Sequence, residues 1–137
     1  MNLQQYQRYI VAFNSRDYDR LHSFFADEVV LHTLGYEIRG KAGIRRFYDF
    51  FHDHVRETVM LRHFVEGAGI DFADVVIRFE GLKDLTPQRL AQEGYAKMTP
   101  VPQGGAAEVA FFISYESGAD GRIVKIRCAV VEPPASA

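Results

Sequence analysis

At 137 residues the chain has room for one domain with its own core, without disulfides or a structural metal. Hydrophobic residues make up 47%, charged residues 25%, and the formal net charge is -2 with both signs mixed along the chain. That balance argues against disorder and supplies no basic face for a nucleic-acid partner. The single cysteine, Cys128, rules out an intramolecular disulfide and a cysteine zinc cluster. The opening MNLQQYQRY has no signal-like apolar stretch and no run reaches transmembrane length, so a cytoplasmic location without a membrane partner is expected. Eleven Phe and seven Tyr accompany no Trp. So many rings in a small domain either fill a tight core or line a cavity.

Leu3, Tyr6, Ile10 and Phe13 recur at helical spacing and predict an amphipathic helix ending near Asn14. Asn14 to Asp17 reads as a tight turn. Asp17 is expected to cap a second helix with Tyr18, Leu21 and Phe25 on its buried side. The period then changes: Val29 to Leu34 is strand-like, Gly35 turns the chain, and Tyr36 to Ile38 forms a short extended piece closed by Gly40. From Lys41 the pattern is helical again, with Ile44, Phe47, Tyr48, Phe51 and Val55 on one face. Arg45, Asp49 and His52 are expected on the opposite, solvated face.

The second half predicts strands. Thr58 to Glu66 alternates, placing Val59, Leu61, His63 and Val65 on one side and Met60, Arg62 and Phe64 on the other. Asp74 to Leu82 carries Val75, Ile77 and Phe79 in one phase and Val76, Arg78 and Glu80 in the other. Both phases hold apolar residues, so one face should cover the core and the other a partner subunit. Leu85 to Gln103 is irregular, with Thr86-Pro87 opening a helical turn and Pro100 and Pro102 excluding a central strand. A final hairpin runs from Glu108 to Ser117 and from Arg122 to Glu132 around Gly118 to Gly121. Residues 1–132 are thus expected to form one α+β domain, with 133–137 a frayed tail.

This ordered set resembles the nuclear transport factor 2-like superfamily, in its SnoaL-like and ketosteroid-isomerase-like branch. The resemblance is carried by Tyr9 to Asn14, Arg16 to Asp19 with Leu21, the corner Phe25 to Val30, Gly40 to Ile44 with Phe47-Tyr48, and Asp120 to Val124. It implies a cone of three N-terminal helices packed on a strongly curved, mixed but mostly antiparallel β-sheet, a cystatin-like roll. A pocket would open between helices and sheet, and a homodimer would form through the outer sheet face. The fold hosts isomerases, cyclases, hydratases, epoxide hydrolases and non-catalytic binders, so it does not fix a function.

An isomerase of this kind needs a carboxylate base and hydroxyl or acid donors for the oxyanion. Tyr9 matches the tyrosine of the family's first helix; it is either a pocket hydroxyl donor or a core tyrosine. Thr33 falls where the family carries its catalytic aspartate, with His32 beside it, and the partner acid would fall near Phe111 or Ile113, both apolar. The family's acids are therefore missing. His32 and His63 are the candidate proton carriers if both point inward. Phe13, Leu31, Thr33, Phe47, Phe51, Phe79, Phe111, Ile113, Tyr115 and Cys128 are the expected ligand-binding walls. Arg78 and Glu80 read as a surface pair, and His52 and His54, two apart on a helix, cannot share a metal. Neither a metal nor a cofactor is expected. The reading is a protein that binds a small hydrophobic molecule, either a cofactor-free isomerase, cyclase or hydrolase working by acid–base chemistry on an oxygenated ligand, or a non-catalytic ligand-binding or dimerisation module.

Overall fold

A computed structural model describes residues 1–131; the expected tail lies outside the described residues. The elements are α1 (Leu3–Asn14), α2 (Tyr18–His22), β1 (Phe25–Thr33), β2 (Tyr36–Arg39), α3 (Gly40–His54), β3 (Val55–Val65), β4 (Ile70–Gly81), α4 (Pro87–Gln92), β5 (Ala106–Ser117) and β6 (Ile123–Val130). The strands form one open sheet in the order β2-β1-β6-β5-β4-β3. Only β1 and β6 run parallel; the other pairs are antiparallel. The α+β reading and the mixed sheet under the first three helices agree with the sequence, and α4 adds a fourth, short helix.

Local chemistry sets the helix ends. Asn2 and Gln5 form a reciprocal capping box on α1. The Asp17 side chain accepts from the Arg20 N–H, and Thr86 accepts from the Arg89 N–H with Pro87 opening α4. Asn14 does more than end α1. Its amide donates to the Val59 carbonyl at 3.0 Å and accepts from the Val59 N–H at 2.8 Å, which locks α1 against β3.

Several boundaries differ from expectation, β4 for one beginning at Ile70, four residues before Asp74. Helix α2 stops at His22, and Phe25 begins β1 instead of closing the helix stripe. Helix α3 passes into β3 without a loop, Val55 being already extended at φ -133°, ψ 132°. Strand β3 therefore starts three residues before the alternation of Thr58 to Glu66 suggests.

Inner and outer faces of the sheet separate cleanly on β4 and β5: Ala73, Val75, Ile77, Phe111, Ile113 and Tyr115 are buried, while Phe72 and Phe112 are 48% and 55% exposed. On β3 the register with β4 shifts between Leu61 and His63. This bulge reverses the phase of everything beyond it. Phe64 turns inward and stacks on Tyr6 at 4.7 Å, while His63 turns out.

The irregular segment is tied to the body by backbone. Leu85 and Val101 exchange two hydrogen bonds, Gly81 donates to the Gly105 carbonyl, and Gly104 donates back to Gly81. A side chain at Gly81 would collide with the Pro102 carbonyl, so this close approach requires glycine. Leu85, Leu90 and Met98 are buried beneath the segment.

Candidate functional site

The inner face of the sheet and the first and third helices surround a narrow, closely packed cavity of about 50 Å³. That is well below the usual size of a small-molecule site, so a ligand has to part the aromatic side chains to enter. Each element contributes by its own period. Helix α1 supplies Tyr6, Tyr9 and Phe13 at i, i+3 and i+7, and α3 supplies Phe47 and Tyr48. Strand β1 presents Leu31 and Thr33, β4 presents Ile77 and Phe79, and β6 presents Ile126 and Cys128. Strand β5 adds Phe111, Ile113 and Tyr115. Of the residues expected to form walls, Phe51 alone lies off this lining; it stacks on Phe47 at 5.6 Å and faces a neighbouring groove.

Neither candidate histidine is inside. His32 alternates away from Leu31 and Thr33, is 38% exposed, and approaches Glu37 at 3.7 Å on the outer face. His63 is 74% exposed and bonds Asp74 through Nδ1 at 3.0 Å. The expectation for His63 assumed unbroken alternation, and the bulge after Leu61 removes that assumption.

The cavity nevertheless holds a carboxylate. Glu57 lines it from the start of β3, in phase with Val55 and Val59, and its side chain is 9% exposed. Oε1 of Glu57 lies 3.1 Å from His52 Nε2, and His52 Nδ1 lies 2.7 Å from the Tyr18 hydroxyl. With the carboxylate ionised and the ring neutral, Nε2–H donates to Glu57 Oε1 and Nδ1 accepts the Tyr18 O–H, so both ring nitrogens are satisfied. His52 is not on a solvated face. It is 2% exposed, stacked on Tyr48 at 4.7 Å, with Phe13 edge-on at 5.5 Å.

The sequence carried signals for both residues. His52 follows Tyr48 by four positions on α3, which places it on the edge of the buried stripe. Extending the β3 alternation back from Val59 reaches Glu57 on the inner face. The expected strand began at Thr58, one residue past it.

A second polar group is a set of tyrosine hydroxyls. Tyr6 and Tyr115 share a hydrogen bond of 2.7 Å, and the Tyr9 ring packs edge-on against Tyr115 at 5.5 Å. Burial pushes the phenols of Tyr6, Tyr9, Tyr48 and Tyr115 well above the ordinary tyrosine range, so they stay protonated as neutral hydrogen-bonding groups. Burial pushes the Cys128 thiol up to about 12, with the Thr33 hydrogen bond opposing it. A thiol so held is a lining group and not a nucleophile at neutral pH.

The arrangement can orient an oxygenated molecule between apolar walls and offer it a base and hydroxyl donors. Among the described residues no group of three or more His, Cys, Asp or Glu is placed to hold a metal ion. No described helix is long and apolar enough to cross a membrane. Arg78 and Glu80 pair at 2.9 Å on the sheet surface, with Glu108 close to Arg78 at 3.5 Å, and lie outside the cavity lining.

No curated protein matches the chain by sequence. Among solved structures, a candidate polyketide cyclase from Pseudomonas putida KT2440 superposes with a TM-score of 0.73 at 18% identity, over 90% of this chain and 86% of that one. The Mycobacterium tuberculosis protein Rv0760c, in complex with estradiol-17beta-hemisuccinate, gives 0.68 at 19% identity, over 92% and 90%. TerC co-crystallised with polyporic acid gives 0.69 at 15% identity, over 93% and 89%. At these identities the likeness is one of fold, the nuclear transport factor 2-like cone. The SnoaL-like domain model matches residues 6–126, and the chain belongs to that family.

Proposed function

We propose that the cavity binds a small, hydrophobic, oxygenated molecule and that Glu57 moves a proton on it. The observation that carries this reading is a buried carboxylate in an aromatic cavity, held by a buried histidine. His52 occupies Oε1 and leaves Oε2 for a ligand. Oε2 would take a proton from a carbon beside a carbonyl; the C–H electron pair would become the enolate double bond, and the carbonyl pair would move to oxygen. Protonated tyrosine hydroxyls are suitable donors to that oxygen. Return of the proton to a different carbon gives an isomerase; attack of the enolate carbon on a second carbonyl of the substrate, whose π pair moves to its oxygen and takes the proton from Glu57, gives a cyclase. The estradiol derivative and polyporic acid bound by the structural neighbours are ligands of the same broad class.

The test is exchange of α-hydrogens. The enolisable ketone 2-tetralone in deuterium oxide should lose its α C–H proton signals faster with protein than with buffer. Glu57→Gln should abolish that excess while still binding the ketone by calorimetry. Binding without exchange in the native chain would leave a non-catalytic binder. Absence of binding by 2-tetralone, estradiol and polyporic acid alike would sink the container reading itself.

A homodimer through the outer sheet face belongs to the same proposal, supported by exposed Phe72, Phe112, Met60 and Val65 on that side. A cytoplasmic location is proposed with it, on the single free cysteine.

A further inference from the structure

The cavity does not end at its aromatic walls. Beyond them lies an apolar groove of about 490 Å³, open to solvent, which shares Leu34, Phe79 and Phe111 with the cavity. Cavity and groove follow the same inner face of the sheet. Along β5 the inward positions run from Tyr115, Ile113 and Phe111 in the cavity to Val109 and Ala107 in the groove. Along β6 they run from Ile126 and Cys128 to Val130, whose register partner is Phe111. Among the described residues the groove carries no charged side chain, and Thr99 is its one polar one. Its far wall is the segment Met98 to Pro102, fixed by the Leu85–Val101 bridge and the Gly81 contacts.

Leu34 stands where the two spaces meet. It has φ +53°, in the left-handed region that disfavours a branched apolar side chain, and it is 37% exposed. Val130, at the same end, is 49% exposed. Exposed apolar residues, one of them strained, therefore cluster at the junction of the aromatic cavity that holds Glu57 and the apolar groove.

We propose that the ligand is an elongated amphipath, with an oxygenated head in the cavity and a hydrocarbon portion lying along the groove past Leu34. From Phe111 to Ala107 the strand advances four residues, about 13 Å, which sets the length of that apolar portion. This rests on the cavity reading above and adds to it the class of molecule. A compact oxygenated ring would engage the cavity alone, once its walls part around it; a chain or second ring system of this length reaches both spaces.

The experiment is a calorimetric titration with phenol, 4-butylphenol and 4-octylphenol below their aggregation limits. Affinity should rise about three- to four-fold for each methylene that enters the groove, giving at least a hundredfold between phenol and 4-octylphenol. Val109→Asp, which puts a charge into the groove, and Ala107→Trp, which fills it from an exposed position, should each flatten the series and leave phenol binding as it was. Phenol binding with a flat series in the native chain would overturn the elongated-ligand inference and leave the cavity reading standing. An unchanged rise in both variants would overturn it as well. No binding by any member of the series would count against the cavity reading itself. Sedimentation run in parallel covers the rival occupant. A flat series, with self-association lost in Val109→Asp, would assign the groove to a second copy and overturn the proposal.

Discussion

Two carboxylate–histidine pairs sit on the same strand neighbourhood at nearly the same distance and do opposite things. Glu57 and His52 are 3.1 Å apart with side-chain exposures of 9% and 3%; Asp74 and His63 are 3.0 Å apart with 26% and 74%. Both involve β3, and the bulge after Leu61 separates them. Before it, an acidic residue faces the cavity and needs a partner, because an isolated charge in an apolar site is expensive. Beyond it, a histidine faces water, where screening and side-chain entropy leave an ion pair worth little. Distance alone does not give a pair its meaning; the face of the sheet does.

The strongest way to break this comparison is to put a lone charge where the bulge turns the chain inward. Phe64→Asp replaces the ring stacked on Tyr6 with a carboxylate that has no partner. A loss of about 5 kcal/mol, or failure to fold, is expected in urea denaturation. A variant of near-native stability would mean that the bulge is not what separates the two faces.

Next in size is His52→Ala. Leaving Glu57 buried without its donor should cost about 3–5 kcal/mol, read from the denaturation midpoint. A loss below about 1 kcal/mol would place the inner pair in the same regime as the outer one.

Alkaline pH sharpens the contrast without a mutation. The buried Cys128, Tyr6, Tyr9, Tyr48 and Tyr115 have folded-state pKa values raised by burial above their ordinary 9.0 and 10.0. Below those values both states hold their protons and the full stability is present. Above about pH 9 to 10 the unfolded chain loses protons that the folded chain keeps. Stability should therefore fall with rising pH, by about 1.4 kcal/mol per pH unit for each such group, until the folded-state values are passed. Thermal melts from pH 8 to 11 measure the slope. A flat profile would mean that the cavity phenols reach solvent.

Asn14→Ala should cost about 2 kcal/mol, since it strands both backbone groups of Val59 next to Glu57. The smallest effect is expected for His63→Ala, under about 1 kcal/mol in the same denaturation assay. A larger loss there would give the outer pair a structural part that its exposure does not suggest.

Much of the fold was legible because periodicity reports burial. The alternation on β4 placed Val75, Ile77 and Phe79 on one face, the stripe of α3 placed Ile44, Phe47 and Phe51, and Asp17 and Thr86 announced their helices. The polar centre was less legible. Tyr9, Thr33 and Cys128 sit in the cavity lining by plain alternation or helical spacing. His63 was misplaced because one extra residue inverts every side chain beyond it. Glu57 was passed over because α3 runs into β3 with no turn residue to mark the join. His52 was put in solvent because a helical wheel gives its angle to neighbours on α3 and says nothing of Tyr18 arriving from α2.

What the sequence determined alone is the container: three early helices, a late hairpin, and enough aromatic residues at core spacing to build walls around a space. Local propensity and the burial pattern suffice for that, since both act over a few residues. What only the tertiary structure decided is which charges enter the space. That depends on a single bulge, on a helix–strand junction without a loop, and on whether a partner from a distant element is there to satisfy the group once water has gone.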